Sequence, residues 1–138
     1  MVFQDEIKLS TEGFCDVKDI TSEVNEIIVK SKIKEGIMVI SVIGSTAGLT
    51  TIEAEPNLIE DFKEFWEKLI PRDKNYRHNQ TWGDDNGFSH LRSSLLGTSV
   101  CFPVSEGKML LGTWQQVVFV DFDNRPRQRK MVVKIVGE

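Results

Sequence analysis

The sequence predicts an α+β fold in one domain that spans residues 1–138. Strand and helix patterns alternate in the first two-thirds of the chain, whereas the last third contains only strand patterns joined by short turns. The chain has 138 residues, 40% of them hydrophobic, which is enough for one core without disulfides or a structural metal. No linker, internal repeat or low-complexity segment divides it.

The N-terminal part predicts two strands followed by a helix. Apolar and polar residues alternate over residues 3–10, as in a half-buried edge strand, and a second short strand is expected at 14–16. Isoleucine and valine residues at helical spacing then predict a helix that Asp19 or Thr21 can cap. We expect this helix to end near Gly36, which can adopt a left-handed conformation.

The middle of the chain predicts a buried strand and a second helix. Residues 37–43 form a continuous, β-branched apolar run, so we expect a central strand that is covered on both faces. The second helix begins at Pro56, carries its apolar residues on one face and ends before Pro71. A long polar loop over residues 72–89 follows, and long loops in compact domains are often functional.

The C-terminal part predicts a short helix over residues 88–96, which Gly97 closes, and then a run of antiparallel strands. These strands are expected at residues 98–104, 108–111, 113–122 and 127–136.

Charge and composition exclude several classes of partner. The net charge of −4 argues against a broad nucleic-acid surface, and no apolar run is long enough to span a membrane. Cys15 and Cys101 are far apart in the sequence, so we expect two unlinked, buried thiols in a reducing compartment. A soluble, cytoplasmic protein without nucleic-acid or membrane partners is therefore expected.

The polar loop and its border contain both histidines of the chain, His78 and His90, close in sequence to Asp84. Such residues can bind a divalent metal ion, or act as general acid and base near neutral pH. Glu53 can join them if the earlier loop folds over the site. The alternative is that these side chains are solvated, turn-forming residues, which polar loops often collect.

Three further segments have a functional and a structural interpretation. Residues 44–51 are small and hydroxyl-rich, so they either bind a phosphate or form a tight corner between strands. Trp114 and Gln115 either pack in the core or form one wall of a pocket. Arg129 and its arginine neighbours either line a solvated edge or bind an anion.

Several motifs together resemble the YjbQ-like family, whose members are often described as secondary thiamine-phosphate synthases. The resemblance covers essentially the whole chain, in order and with similar spacing. The motifs that carry it are Ser45-Thr-Ala-Gly-Leu-Thr50, Glu53-Ala-Glu-Pro56, Tyr76-Arg-His-Asn79, Trp82-Gly-Asp84, Ser89-His-Leu91, Ser94-Leu-Leu-Gly97 and Leu111-Gly-Thr-Trp-Gln115.

The resemblance implies a mixed, mostly antiparallel β-sheet that is partly folded on itself, with about three helices, in a homotrimer. It implies the catalytic residues Glu53, His78, Asp84 and His90, with His78, His90 and Asp84 as ligands of Mg²⁺ or Zn²⁺. The residues expected to bind a small phosphorylated molecule are Ser45, Thr46, Thr50, Asn79, Trp114, Gln115 and Arg129.

This chain departs from the family pattern at three positions. Gly44 stands where family members usually have a histidine, Phe88 stands where many have a second one, and Gln116 replaces a common glycine. A site with fewer imidazoles is expected to bind zinc less tightly.

Three functions therefore remain open at this point. The resemblance implies a synthase that joins a pyrimidine pyrophosphate to a thiazole phosphate and releases pyrophosphate. The alternatives are a trimeric protein that binds a small molecule or phosphate without catalysis, and a metal-dependent hydrolase of phosphate esters.

Overall fold

The computed structural model describes all 138 residues, Met1–Glu138, as eight strands and four helices. The strands are β1 (Val2–Thr11), β2 (Asp16–Asp19), β3 (Gly36–Val42), β4 (Ala47–Ile52), β5 (Ser99–Ser105), β6 (Lys108–Met109), β7 (Gln116–Asp121) and β8 (Arg127–Gly137). The helices are α1 (Thr21–Ser31), α2 (Pro56–Leu69), α3 (Asn79–Trp82) and α4 (Gly87–Leu96).

The strands form two sheets in which every neighbouring pair is antiparallel. The larger sheet has the order β1-β8-β3-β5-β6, and the smaller one has the order β2-β7-β4. One sheet is strongly curled into a half-barrel. The predicted α+β fold, with mostly antiparallel strands partly folded on themselves, is confirmed, and three of its four helices are long.

Two hydrophobic cores lie on opposite faces of the smaller sheet. The larger core joins that sheet to helix α1 and to the inner face of the five-stranded sheet. The second core packs helix α2 against the other face, through Trp66, Val118, Val120 and Phe122. The fold is therefore layered, with the three-stranded sheet in the middle.

This layering corrects the prediction for residues 37–43. Met38 and Ile40 of β3 are buried, but Ile37 and Val39 are exposed because no element of the chain covers the outer face of the larger sheet. The strand that is covered on both faces is β7, in which every residue after Gln116 is buried.

Helix α1 ends earlier than predicted. The Ser31 hydroxyl donates to the carbonyl of Ile28 and accepts the N–H of Ile33, and Lys32 takes the left-handed conformation at φ 62°. The Ser31 side chain therefore satisfies backbone groups at the end of the helix, five residues before Gly36, and Gly36 begins β3 instead.

Other boundaries also differ from the sequence prediction. Phe14 and Cys15 form a left-handed turn, so β2 begins only at Asp16. The small residues at 44–46 form a bend between β3 and β4, as the corner interpretation required, and β4 takes residues 47–52. The long polar loop contains the short helix α3, which the sequence did not indicate.

Both cysteines are free, but only Cys15 is buried, since Cys101 lies on the exposed outer face of β5. None of the helices combines the length and the apolar character that a membrane span requires.

Candidate functional site

A polar pocket of about 360 Å³ lies where three segments of the chain meet. The bend at Gly44–Thr46 forms one side, the segment from His78 to His90 forms the second, and the start of β8 forms the third. We call this cavity the histidine pocket. Trp82 is its one hydrophobic residue, and that side chain is 78% exposed at the rim.

The two histidines of the chain are adjacent in this pocket. His78 lies at the N-terminal end of α3 and His90 in the first turn of α4, and their ring centroids are 4.5 Å apart. The sequence predicted a shared site for these two side chains, and the structure brings them together.

A close approach between the two helices produces this pair. The N–H of Gly87, at the start of α4, donates to Oδ1 of Asn79 at 3.0 Å. A Cβ atom at Gly87 would lie 2.7 Å from Cβ of Tyr76, so only a glycine allows α4 to begin so near this segment.

Burial lowers the pKa of His90 below its ordinary value of 6.5, and the neighbouring His78 lowers it further. Asp123, Asp84 and the backbone of Ser45 oppose this shift without cancelling it. His90 is therefore neutral at pH 7 and able to accept a proton, as a general base requires.

Two buried aspartates hold the arginines that form the third side of the pocket. Asp121 accepts two hydrogen bonds from Arg129, from Nε at 2.7 Å and from Nη2 at 2.8 Å. Asp123 accepts from Nε of Arg127 at 2.8 Å and forms an ion pair with its Nη2 at 2.7 Å. Burial opposes ionisation of Asp123, but the hydrogen bonds from Asn124, Arg127 and Asn86 outweigh it and lower its pKa.

Threonine hydroxyl groups complete this network. Thr11 donates to Asp121, and Thr46 donates to Asp123 while it accepts from Nη2 of Arg129 at 2.6 Å. Because the Thr46 hydroxyl hydrogen is already used, Ser45 is the hydroxyl of the bend that stays free for a ligand.

The profile of the protein family described as "UPF0047 protein YjbQ-like" matches residues 5–138. The chain belongs to the UPF0047 (YjbQ-like) family. A UPF0047 protein of Archaeoglobus fulgidus is 39% identical over 129 residues, which cover 94% of this chain and 98% of the relative. Another from Methanocaldococcus jannaschii is 40% identical and covers 100% of this chain and 96% of its own length.

Crystal structures of similar proteins support the same fold. A YbjQ-like protein of unknown function from Sulfolobus solfataricus superposes with a TM-score of 0.95 at 38% identity, covering 100% of this chain and 99% of the other. A hypothetical protein from Aeropyrum pernix gives 0.92 at 33% identity, covering 99% of each chain.

Other residues predicted for the site of this UPF0047 chain lie outside the histidine pocket. Glu53 and Thr50 are at and near the end of β4 that lies away from the pocket, and the six residues of β4 span about 17 Å. The Asn79 amide oxygen already accepts the N–H of Gly87. Trp114 is 71% exposed, so the interpretation of this side chain as core is wrong, and Gln115 donates to Thr51.

The implied metal ligands do not form a metal site within one UPF0047 chain. His78 and His90 are adjacent and Asp84 lines the same pocket, but no group of three or more His, Cys, Asp or Glu side chains is arranged to hold an ion. We therefore assign no metal-dependent step to these residues.

The departure at Phe88 has a structural explanation. Its side chain is buried in the interior, and the guanidinium of Arg92 lies 5.0 Å from the centre of its ring. Phe88 does not line the histidine pocket, whereas Gly44 does.

The residues that sequence reasoning missed are Asp121 and Asp123. Asp121 and Asp123 alternate with the apolar residues around the end of β7, where they resembled an ordinary turn. The signal that could have found them is the matching alternation of Arg127 and Arg129 at the start of the next strand, because the short connection over residues 122–126 keeps the two segments close although β7 and β8 belong to different sheets.

Proposed function

We propose that the histidine pocket binds a small phosphorylated molecule and that His78 and His90 exchange protons with it. The observation that carries this proposal is the pair of imidazoles with centroids 4.5 Å apart, in a pocket whose other residues are almost all polar. Neutral His90 accepts a proton, and a phosphate beside the pair favours its protonated form.

The specific reaction that we propose is thiamine-phosphate synthesis. The thiazole nitrogen attacks the methylene carbon of the pyrimidine pyrophosphate, so that a C–N bond forms, the C–O bond breaks and pyrophosphate leaves. Hydrogen-bond donors from Ser45 and the arginines stabilise the charge of the leaving group, and His90, which gains a proton when the phosphate binds beside it, donates that proton to the leaving pyrophosphate oxygen. Carboxylate-bound Mg²⁺ is the expected cofactor of such a reaction, although the donor set of one chain does not form its site.

The test is an assay of purified protein with both substrates and Mg²⁺, followed by chromatographic detection of thiamine phosphate. We expect product formation that His90→Ala reduces by about 100-fold or more, the typical contribution of a general acid or base. Leu91→Ala, an exposed neighbour on the same helix, is the matched control and should retain activity. Equal rates in the unmodified protein and His90→Ala would refute the synthase proposal.

A binding protein without catalysis is the second candidate. It is favoured by the pair of imidazoles without a third metal ligand and by Gly44 at a position where the family usually has histidine. Such a protein binds phosphate with no turnover of either the synthase substrates or a panel of phosphate esters. Hydrolysis of one of these esters in the presence of divalent ions would instead indicate a phosphoester hydrolase.

We further propose that the chain assembles as a homotrimer. The exposed outer face of the five-stranded sheet supports assembly, because apolar residues from adjacent strands lie side by side there, with one lysine, Lys134, opposite Val39. The residues of this outer patch are Val2, Ile37, Val39, Val132 and Val136.

A further inference from the structure

Each of the two pocket arginines has one terminal nitrogen that binds no partner. Arg129 uses Nε and Nη2 for Asp121, and Arg127 uses the same two nitrogens for Asp123. The Nη1 group of each guanidinium makes no hydrogen bond within the chain, although both residues line the histidine pocket. Two N–H-bearing groups are therefore available to a ligand on the same side of the cavity.

Gly44 leaves the Nη1 group of Arg129 uncovered. A Cβ atom at Gly44 would lie 3.1 Å from this nitrogen, in tight contact with it. The backbone of Gly44 is not left-handed, so its conformation is open to any residue. The absence of a side chain at position 44 therefore keeps the space beside Nη1 of Arg129 open, whereas the backbone of the bend does not require a glycine.

We infer that Gly44 opens an anion subsite in which the Nη1 groups of Arg127 and Arg129 bind the phosphate group of the ligand. This inference rests on the proposed function and specifies which residues receive the phosphate. Guanidinium groups suit phosphate because their N–H donors match the spacing of its oxygens.

Asp121 and Asp123 are positioning residues of this subsite. Both are fully buried, and they fix the two guanidinium groups through hydrogen bonds on the side away from the free nitrogens. Because they also balance the charge of the arginines, the subsite attracts an anion through its directed N–H donors and through the imidazoles. We therefore expect affinity for tetrahedral oxyanions and little affinity for chloride.

The experiment is calorimetric titration of the purified chain with inorganic phosphate at constant ionic strength. We expect Gly44→Ala to weaken binding about tenfold or more, because a methyl group covers one charged donor. Gly112→Ala is the matched control, since a Cβ there comes no nearer than 3.7 Å to another group. This variant should bind phosphate as the unmodified protein does.

A second variant tests the arginines without removing a charge. Arg127→Lys keeps a cation beside Asp123 but lacks the second terminal nitrogen, so it should also weaken binding about tenfold. Arg125→Lys, at an exposed arginine outside the pocket, is its control. Circular dichroism and thermal unfolding of each variant identify any loss of binding that is caused by misfolding.

The outcomes separate this inference from the proposed function. Phosphate binding that His78→Ala weakens, but that Gly44→Ala and Arg127→Lys leave unchanged in folded protein, overturns the subsite alone. No phosphate binding by the unmodified chain overturns both proposals. Loss of binding in Gly44→Ala and Arg127→Lys, with both controls intact, supports the subsite even if no catalysis is found.

Discussion

At the scale of single residues, the two histidines report on the electrostatics of the pocket. Burial and the nearby His78 lower the pKa of His90, while Asp84 raises it. The folded chain therefore resists protonation of His90, so that this residue costs stability as the pH falls from about 6.5 through its lower folded pKa.

Substitutions of His78 and of Asp84 should shift the pKa of His90 in opposite directions. We expect His78→Asn to raise the pKa of His90 and Asp84→Asn to lower it, because the first removes a like charge and the second an opposite one. NMR titration of the imidazole Cε1–H resonances measures both shifts, and the His78 variant leaves a single histidine to follow. Shifts of the same sign in the two variants would contradict this account of the pocket.

Cys15 predicts a loss of stability at alkaline pH. Burial raises the pKa of its thiol from 9.0 to about 11. The unfolded chain releases the proton first, so the stability that the neutral thiol contributes is present below pH 9 and is lost as the pH rises to 11. The difference corresponds to about 2–3 kcal/mol.

Urea unfolding at pH 8 and pH 10.5 measures this loss. Cys15→Ala should lose less stability between the two values than the unmodified chain, whereas Cys101→Ser, which changes the exposed thiol, should lose the same amount. Identical pH dependence in the Cys15 variant and the unmodified chain would exclude the thiol as the cause.

At the scale of elements, the start of α4 determines the distance between the histidines. Gly87→Ala introduces a Cβ 2.7 Å from Cβ of Tyr76, which forces α4 away from the segment that carries His78. Alanine is the better helix former by about 1 kcal/mol, but overpacking costs about 1–3 kcal/mol. We therefore expect a net destabilisation of up to about 2 kcal/mol and separation of the two rings.

Thermal unfolding and the nuclear Overhauser contact between the imidazoles measure these two effects. Ser94→Ala, on the exposed side of the same helix, is the control and should alter neither. A Gly87 variant of unchanged stability, with the ring contact intact, would show that the close approach is not required.

The sequence predicted most elements because hydrophobic periodicity and proline or glycine at their ends mark them. Pro56 begins α2 and Gly97 follows α4 as expected. It misplaced the end of α1, which local hydrogen bonds of the Ser31 hydroxyl determine, and the exposed Trp114, whose burial depends on tertiary contacts. Local patterns do not reveal which surfaces other elements will cover.

The candidate site was predictable to a similar extent. His78 and His90 were paired correctly, because both lie in or beside one polar loop. Glu53 was placed with them on the assumption that an earlier loop folds over, but the extended strand β4 carries it away. Asp121 was missed because its partner, Arg129, lies in a strand of the other sheet, and only the packing of the two sheets brings them together.

At the scale of the whole molecule, the outer patch predicts how the chain associates. Light scattering coupled to size-exclusion chromatography should give about three times the chain mass of 15.7 kDa. Val39→Lys replaces an apolar residue of the outer patch by a second cation opposite Lys134, so this variant should elute as a monomer. Val29→Lys, at an exposed valine of α1, is the control and should remain assembled. A monomeric unmodified protein, or a trimeric Val39 variant, would exclude assembly through this face.

The burial of β7 on both faces affects how this strand is aligned with its neighbours. In a half-buried strand, a slip of one residue exposes apolar side chains to water. In β7 the same slip only exchanges residues 117–120 between the two cores, so burial alone does not distinguish the correct pairing. The polar residues at the two ends of the strand distinguish the correct pairing, because Gln116 accepts the N–H of Ala54 and Asp121 binds Arg129. Asp121 thus also helps to fix the register of β7, so that correct pairing of this strand and an intact pocket depend on the same residue.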